Sequence, residues 1–150
     1  IEYYEQQLEI AHEIGDRRGE GIVLGNLGVA SANLGEARKA IEYFEQSLEI
    51  VREIGDRHGE GAALGNLGNA WRNLGEARKA IEYYEQQLEI ARAIGDRSGE
   101  GNALFNSALA FKALEDDAEA IKRASEALDI FTEIASPAAE TVRKAFEDWS

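Results

Sequence analysis

The two histidines are the first side chains of this 150-residue chain to examine for catalysis or metal binding. His12 and His58 occupy different places of a repeating pattern, so we do not expect them to meet in a metal site or a catalytic dyad. The chain contains no cysteine, which excludes disulfides, thiolate nucleophiles and cysteine-based zinc sites. The sequence therefore predicts neither catalytic residues nor a metal site.

Glycine-rich segments are the next candidates, because loops of this kind can bind phosphate. The chain contains Gly19-Glu20-Gly21 and Gly25-Asn26-Leu27-Gly28. Both lie inside predicted helices rather than between a strand and a helix, and neither is followed by a Lys-Ser or Lys-Thr pair. We therefore expect no phosphate site and no cofactor.

Regularly spaced glutamates are the remaining reactive groups, and their regularity favours a structural role. Glu20, Glu60 and Glu100 recur forty residues apart. Each is expected to meet either a nearby arginine or the free amides at the start of a helix. The arginines at equivalent places are Arg17, Arg57 and Arg97.

A forty-residue period organises the whole chain. The segment that begins GDRRGEG at Gly15 returns at Gly55 and again, more altered, at Gly95. A fixed period of this length is typical of a solenoid, in which each unit buries its apolar face against its neighbours. The absence of strand patterns and the glycines between segments predict an all-α chain of antiparallel helix pairs. The expected parts are a partial repeat with helix B only at 1–14, repeats at 17–54 and 57–94, a degenerate repeat at 97–134, and a capping helix at 137–149.

The small and apolar residues of the middle unit have a characteristic spacing: Leu64, Leu67, Gly68, Trp71, Ala80 and Tyr84. This spacing resembles the signature of the tetratricopeptide repeat (TPR) family. The longer period, with Arg92 where that family expects a proline, is similar to the Leu-Gly-Asn (Pins-type) and kinesin-light-chain-like branch and to TPR arrays of bacterial regulators. The resemblance implies a right-handed α-solenoid (a TPR superhelix), without enzymatic activity, that binds a peptide or helical segment of a partner protein in a concave groove lined by helix A.

Asparagines at one place of helix A are the leading candidates for ligand contact: Asn26, Asn66 and Asn106. Asparagine is a mediocre helix former, and its amide can both donate to and accept from a peptide backbone. In the family that the chain resembles, such asparagines hold the main chain of the ligand; the alternative is a structural amide that bonds to the next repeat. Gly25 and Gly65 either flatten the groove floor or serve packing between repeats.

Further groove residues are predicted from their position on helix A: Asn69, Arg72, Asn73, Asn102, Phe105, Leu109, Lys112, Ile22 and Val29. Their order along the chain predicts apolar contacts at the two ends of the groove and polar contacts in the middle.

Net charge and hydropathy limit the partners. The formal charge of −13 disfavours nucleic acid and anionic membranes, so we expect a neutral to basic protein or peptide partner. No apolar run is long enough to span a membrane, and a cytoplasmic location is expected.

The first helix lacks its own helix A, and this leaves two other functions open. Tyr4, Leu8 and Ala11 are expected to form an uncovered apolar side that another copy covers, giving a homo-oligomer. The chain would then be a self-associating structural array, natural or consensus-like. Alternatively, it is the sensor segment of a larger signalling regulator.

Overall fold

The computed structural model describes residues 1–149, which form eight α-helices and no strand. Short turns separate all the helices. The bounds are α1 Glu2–Glu13, α2 Arg17–Asn33, α3 Ala37–Glu53, α4 Arg57–Asn73, α5 Ala77–Ile94, α6 Arg97–Ala113, α7 Asp117–Glu133 and α8 Ala138–Trp149. The all-α solenoid predicted from the period is confirmed. We call α2, α4 and α6 the A helices, and α1, α3, α5 and α7 the B helices.

Aspartates at one repeated place begin the A helices. The side chain of Asp56 accepts a 2.9 Å hydrogen bond from the backbone N–H of Gly59, and Asp16 and Asp96 make the equivalent bond. These bonds satisfy an amide that has no partner within its helix.

Residues with a positive φ follow the ends of the helices, and the type of residue at this place changes towards the C-terminus. Gly75 has a φ of 81° after α4, a conformation that glycine adopts without steric cost. Glu115 and Ala135 occupy the equivalent places of the third unit, with φ values of 62° and 55°. A side chain with a Cβ is strained in this region.

Each helix packs against the helices before and after it in the chain. In addition, α2 contacts α4 and α4 contacts α6. The A helices of successive units therefore lie next to one another and form the inner wall of the array. The helix α8 packs against α7 and buries Ala139 and Val142 there.

A close contact between an aromatic ring and a glycine joins the two helices of each unit. In the middle unit a Cβ on Gly68 would overlap the ring of Tyr84, and Gly28 and Phe44 make the same contact in the first unit. The third unit uses different positions: a Cβ on Gly101 would lie 2.6 Å from Cε1 of Phe131.

The substitutions in the third unit therefore compensate one another. Ala108 and Ala124 replace the glycine and the aromatic residue of the middle unit, and both are fully buried. Because Ala124 leaves room for a Cβ, the helices still pack closely without a glycine at position 108. In the third unit the aromatic ring that packs against a glycine belongs to Phe131, at the other end of the helix pair.

The exposed apolar side of α1 is not the predicted one. Ala11 is buried, and Tyr4 and Leu8 are partly buried. Instead, Ile10 and Ile14 are 57% and 71% exposed, and Tyr3 is exposed beside them. Tyr4, Leu8 and Ala11 lie on the side of α1 that faces α2. Ile10 and Ile14 lie on the other apolar side, which in α3 and α5 packs against the preceding A helix.

Candidate functional site

Recesses open between consecutive A helices, and a B helix forms the floor of each. The first recess has a volume of about 150 Å³ and lies between α2, α3 and α4. The second has a volume of about 310 Å³ and lies between α4, α5 and α6. The inner wall thus carries one recess at each of these two junctions.

The two recesses are equivalent in the repeat. Residues forty positions apart line both, among them the pairs Gly21 and Gly61, Ser47 and Gln87, Asp56 and Asp96, Gly59 and Gly99, and Ala62 and Asn102. A Cβ on Gly61 would make only an ordinary contact, 3.6 Å from Cγ2 of Ile90, whereas a Cβ on Gly59 or Gly99 would overlap the carboxylate of the capping aspartate. Sequence reasoning missed the B-helix residues in this set, because it assigned the groove to helix A alone.

Two of the predicted asparagines have free amides. Asn66 lines the first recess and Asn26 is exposed on α2. Within residues 1–149, neither side chain has a hydrogen-bond partner. Such an amide can donate to and accept from a peptide backbone that lies along the wall. Asn102 lines the second recess, and Asn73 is exposed at the end of α4.

The predicted groove glycines have different surroundings. A Cβ on Gly25 would lie 3.7 Å from Oγ of Ser47, at ordinary contact distance, and Gly25 lines the first recess. Gly65 is buried, and a Cβ there would lie 2.8 Å from Nε2 of Gln87. Ser47, which is equivalent to Gln87, donates a 2.9 Å hydrogen bond to the carbonyl oxygen of Gly21. Gly25 therefore leaves its recess open, whereas Gly65 accommodates the longer side chain of Gln87.

Apolar side chains stand at both ends of the wall. Ile22 and Val29 are 60% and 44% exposed, and they share one face of α2. On α6, Phe105 and Leu109 are partly buried. The predicted distribution of apolar residues is therefore present on the surface of the first unit and more enclosed in the third.

The middle of the wall is polar, and one of its asparagines already has a partner. The Tyr84 hydroxyl donates a 2.5 Å hydrogen bond to Oδ1 of Asn69. Burial raises the pKa of Tyr84 to about 12, so the hydroxyl remains a donor at neutral pH. Asn69 thus has a structural role that the sequence did not reveal.

Arg72 lies where two A helices meet. Its Nη1 is 3.4 Å from the carbonyl oxygen and 3.5 Å from Oδ1 of Asn106, and its guanidinium carbon is 6.0 Å from the Tyr84 ring centroid. These hydrogen bonds are long and therefore weak. The cation at the equivalent place of the third unit, Lys112, is 3.0 Å from Asp117 and also lies over the Trp149 ring.

The A helices carry little of the negative charge of the chain, although the capping aspartates Asp56 and Asp96 line the two recesses. The A helices carry six of the 16 lysines and arginines but only three of the 29 aspartates and glutamates. These three acids are Glu20, Glu60 and Glu100, near the helix starts. The expectation of a neutral to basic partner rested on the total charge, and the excess of cations on the A helices does not favour a basic partner there.

Comparison with known proteins identifies the family. The tetratricopeptide repeat family model matches residues 1–53, 19–93 and 59–133. The chain belongs to the tetratricopeptide repeat family. The TPR assignment made from the spacing of the middle unit is therefore confirmed. A comparison with curated protein sequences gives no match.

Solved TPR structures share the fold of this array. The TPR domain of Arabidopsis FLU is 25% identical, with a TM-score of 0.75 over 78% of this chain and 98% of that domain. Kinesin-light-chain-like repeats from Podosopora anserina are 17% identical, with a TM-score of 0.72 over 84% of this chain and 63% of theirs.

A multidomain protein also contains this arrangement. A signal transduction ATPase with a TPR sensor, from Pyrococcus horikoshii, is 24% identical, with a TM-score of 0.82. The match covers 97% of this chain but 22% of that protein. This likeness concerns the fold alone.

Ion pairs join successive TPR units away from the recesses. Glu60 is buried and accepts from Arg57 over 2.9 Å and from Arg52 of the preceding B helix over 3.0 Å. Glu20 and Glu100 make the equivalent bonds to the arginines three residues before them. The predicted pairing of the regular glutamates is therefore confirmed.

At the contact between α1 and α2, His12 takes the place that Arg52 has at the contact between α3 and α4. His12 lies with Nδ1 2.9 Å from Oε1 of Glu20, and Arg17 donates to Oε2 over 2.8 Å. These two hydrogen bonds lower the pKa of Glu20. His58 lies apart from this pair, at the second recess.

Within residues 1–149, no group of three or more histidine, aspartate or glutamate side chains is placed to hold a metal ion. No helix in that range is both long and apolar enough to cross a membrane.

Proposed function

We propose that this TPR array is a non-enzymatic interaction scaffold that binds an extended or helical segment of another protein along its inner wall. The observation that carries the proposal is the repeated recess, which glycines of the A helices line at two equivalent junctions. A regular row of recesses suits a polypeptide ligand, whose side chains also recur at regular distances.

The free amides beside the recesses add to this argument. Asn26 and Asn66 are polar side chains in helix interiors, where asparagine lowers helix stability relative to alanine. They form no bond within the described residues that would offset this cost. Binding to the main chain of a ligand would satisfy both groups. Asn102 and Gly25 are also proposed as ligand contacts, because each of them lines a recess.

The test is selection of ligands from a library of displayed random short peptides with the folded chain as bait. An enriched peptide is then titrated into the ¹⁵N-labelled chain. We expect amide shifts to concentrate on α2, α4 and α6, near Ile22 and Asn66. Failure to enrich any peptide, or shifts confined to the B helices, would overturn the proposal.

A pair of variants separates recognition from folding. The double variant Asn26→Ala, Asn66→Ala should weaken binding about fivefold or more, since each lost hydrogen bond contributes about 0.5–1.5 kcal/mol. Its melting temperature should stay close to that of the parent chain or rise. The control is Glu82→Ala, Glu89→Ala on the exposed side of α5, which should bind normally.

Self-association is the second candidate, and α1 supplies the observation that favours it. Ile10 is 57% exposed, whereas Ile50 and Ile90 at the equivalent places are 4% and 5% exposed. A second copy that covers this side would bury the isoleucine as its counterparts are buried.

Sedimentation velocity over a range of concentrations tests this candidate. Ile10→Glu should reduce the average mass, and Ile22→Glu on the inner wall should not. A monomer at every concentration, with α1 still helical, would eliminate self-association. The function of a sensor segment in a larger signalling regulator stays a prediction.

A further inference from the structure

When residues 1–149 are considered, one cation of the A helices, Arg72, lacks an acidic partner. Of the cations on the A helices, Arg17, Arg57 and Arg97 pair with glutamates, and the equivalent of Arg72 in the third unit pairs with Asp117. Arg18 lies 3.3 Å from a carboxylate oxygen of Asp56. Arg72 has no carboxylate partner within residues 1–149.

The sequence explains why Arg72 is unpaired. Asp117 follows Lys112 by five residues, and the residue five positions after Arg72 is Ala77. Ala77 is buried against neighbouring helices and offers no acceptor. The guanidinium is instead held by weak bonds to Asn106, and it remains partly exposed between α4 and α6.

The surroundings of Arg72 favour a negatively charged ligand group. A half-buried guanidinium interacts more strongly with a carboxylate than a fully solvated one does, and its planar fork can bind both carboxylate oxygens. The only acids of the A helices lie in the first turn of each helix and are already paired with cations. A carboxylate at Arg72 would therefore meet no unpaired acid on the A helices themselves.

We propose that the segment bound by the inner wall carries an aspartate or glutamate side chain that pairs with Arg72. This inference rests on the proposed function and narrows it, because it names the charge of one ligand side chain. The partner segment thus carries an acidic side chain at this place, whereas the net charge had suggested a neutral to basic partner.

The experiment repeats the peptide selection with the parent chain, Arg72→Gln and Arg78→Gln. Arg78 is exposed on α5 and serves as the matched control. Peptides enriched by the parent and by the Arg78 variant should contain aspartate or glutamate more often than the library does. Peptides enriched by Arg72→Gln should lose this excess.

A double-mutant cycle then measures the contact. One enriched acidic peptide is compared with its Glu→Gln or Asp→Asn form on both the parent chain and Arg72→Gln. Either change alone should weaken binding about tenfold, and the second change should add little, because both remove the same charged hydrogen bonds. Arg72→Lys should retain part of the affinity, and added salt should weaken only the charged pair.

The outcomes separate this inference from the proposed function. Peptides that bind the A helices without an acidic side chain, or whose acid is insensitive to Arg72, would overturn the inference and leave the scaffold proposal intact. Enrichment of basic peptides would also overturn it. If no peptide is enriched, both proposals fail. Thermal unfolding of each variant, followed by circular dichroism, identifies any loss of binding that arises from unfolding.

Discussion

The Tyr84 hydroxyl donates a 2.5 Å hydrogen bond to Oδ1 of Asn69 and so links the two helices of the middle unit. The equivalent positions hold Phe44 and Val29 in the first unit. The first unit thus has two apolar residues at these places, and combining one residue of each pair leaves a polar group without its partner.

A double-mutant cycle on this pair should show strong coupling. Tyr84→Phe alone should lower the free energy of unfolding by about 1 kcal/mol, since it leaves the Asn69 acceptor unpaired. Adding Asn69→Val, which recreates the pair of the first unit, should recover most of that loss. Urea unfolding of the four chains measures the coupling; strictly additive effects would contradict it.

The same substitution at one repeat position should have opposite effects in two units. A Cβ on Gly61 would lie 3.6 Å from Cγ2 of Ile90, so Gly61→Ala should stabilise by up to about 1 kcal/mol through helix propensity. A Cβ on Gly101 would lie 2.6 Å from Phe131, so Gly101→Ala should destabilise by about 1–3 kcal/mol.

Differential scanning calorimetry of these two variants gives the sign directly. If Gly101→Ala also raised the melting temperature, the ring of Phe131 would not be packed against that glycine. Gly101→Ala combined with Phe131→Ala, the residue found at the equivalent place in the middle unit, should remove the clash but lose buried ring area.

The strained turns of the third unit should be easy to improve. Glu115→Gly should raise the free energy of unfolding by about 1 kcal/mol, because glycine adopts the φ of 62° without steric cost. Ala135→Gly should act in the same direction. The control is Ala113→Gly at the end of α6, where a helical φ makes glycine unfavourable; a gain from this change as well would point to a different cause.

Acid should weaken the contact between α1 and α2, because it protonates the carboxylate of Glu20. Hydrogen bonds from His12 and Arg17 lower the pKa of Glu20 in the folded chain below its ordinary value of 4.5. The ionised carboxylate therefore stabilises the fold above that ordinary value, and this contribution is lost as the pH falls through the lower, folded pKa.

Melting temperatures measured between about pH 3 and pH 6 test the effect. The parent chain should lose stability towards acid more steeply than Glu20→Gln, which has no charge to lose there. Glu82→Gln, an exposed glutamate on α5 without a cation partner, should follow the parent curve. Identical curves for all three chains would mean that the Glu20 pairs contribute nothing.

Repetition makes the fold predictable from the sequence, and local exceptions limit prediction of the site. The buried Leu64 and Leu67 follow from helical spacing, because burial against neighbouring helices requires an apolar stripe. Helical spacing does not predict the hydrogen bond between Tyr84 and Asn69 or the contact between Phe131 and Gly101. Each of these contacts depends on side-chain positions across two helices. The net charge of −13 carries no information about position, so it does not give the charge of the inner wall.

Every helix pair in this array touches only the pairs beside it. A further copy of residues 55–94, inserted next to its parent, would have the parent on one side and one of the parent's neighbours on the other. Duplication of one unit would therefore lengthen the array by one recess at a time and leave the contacts of the distant units unchanged.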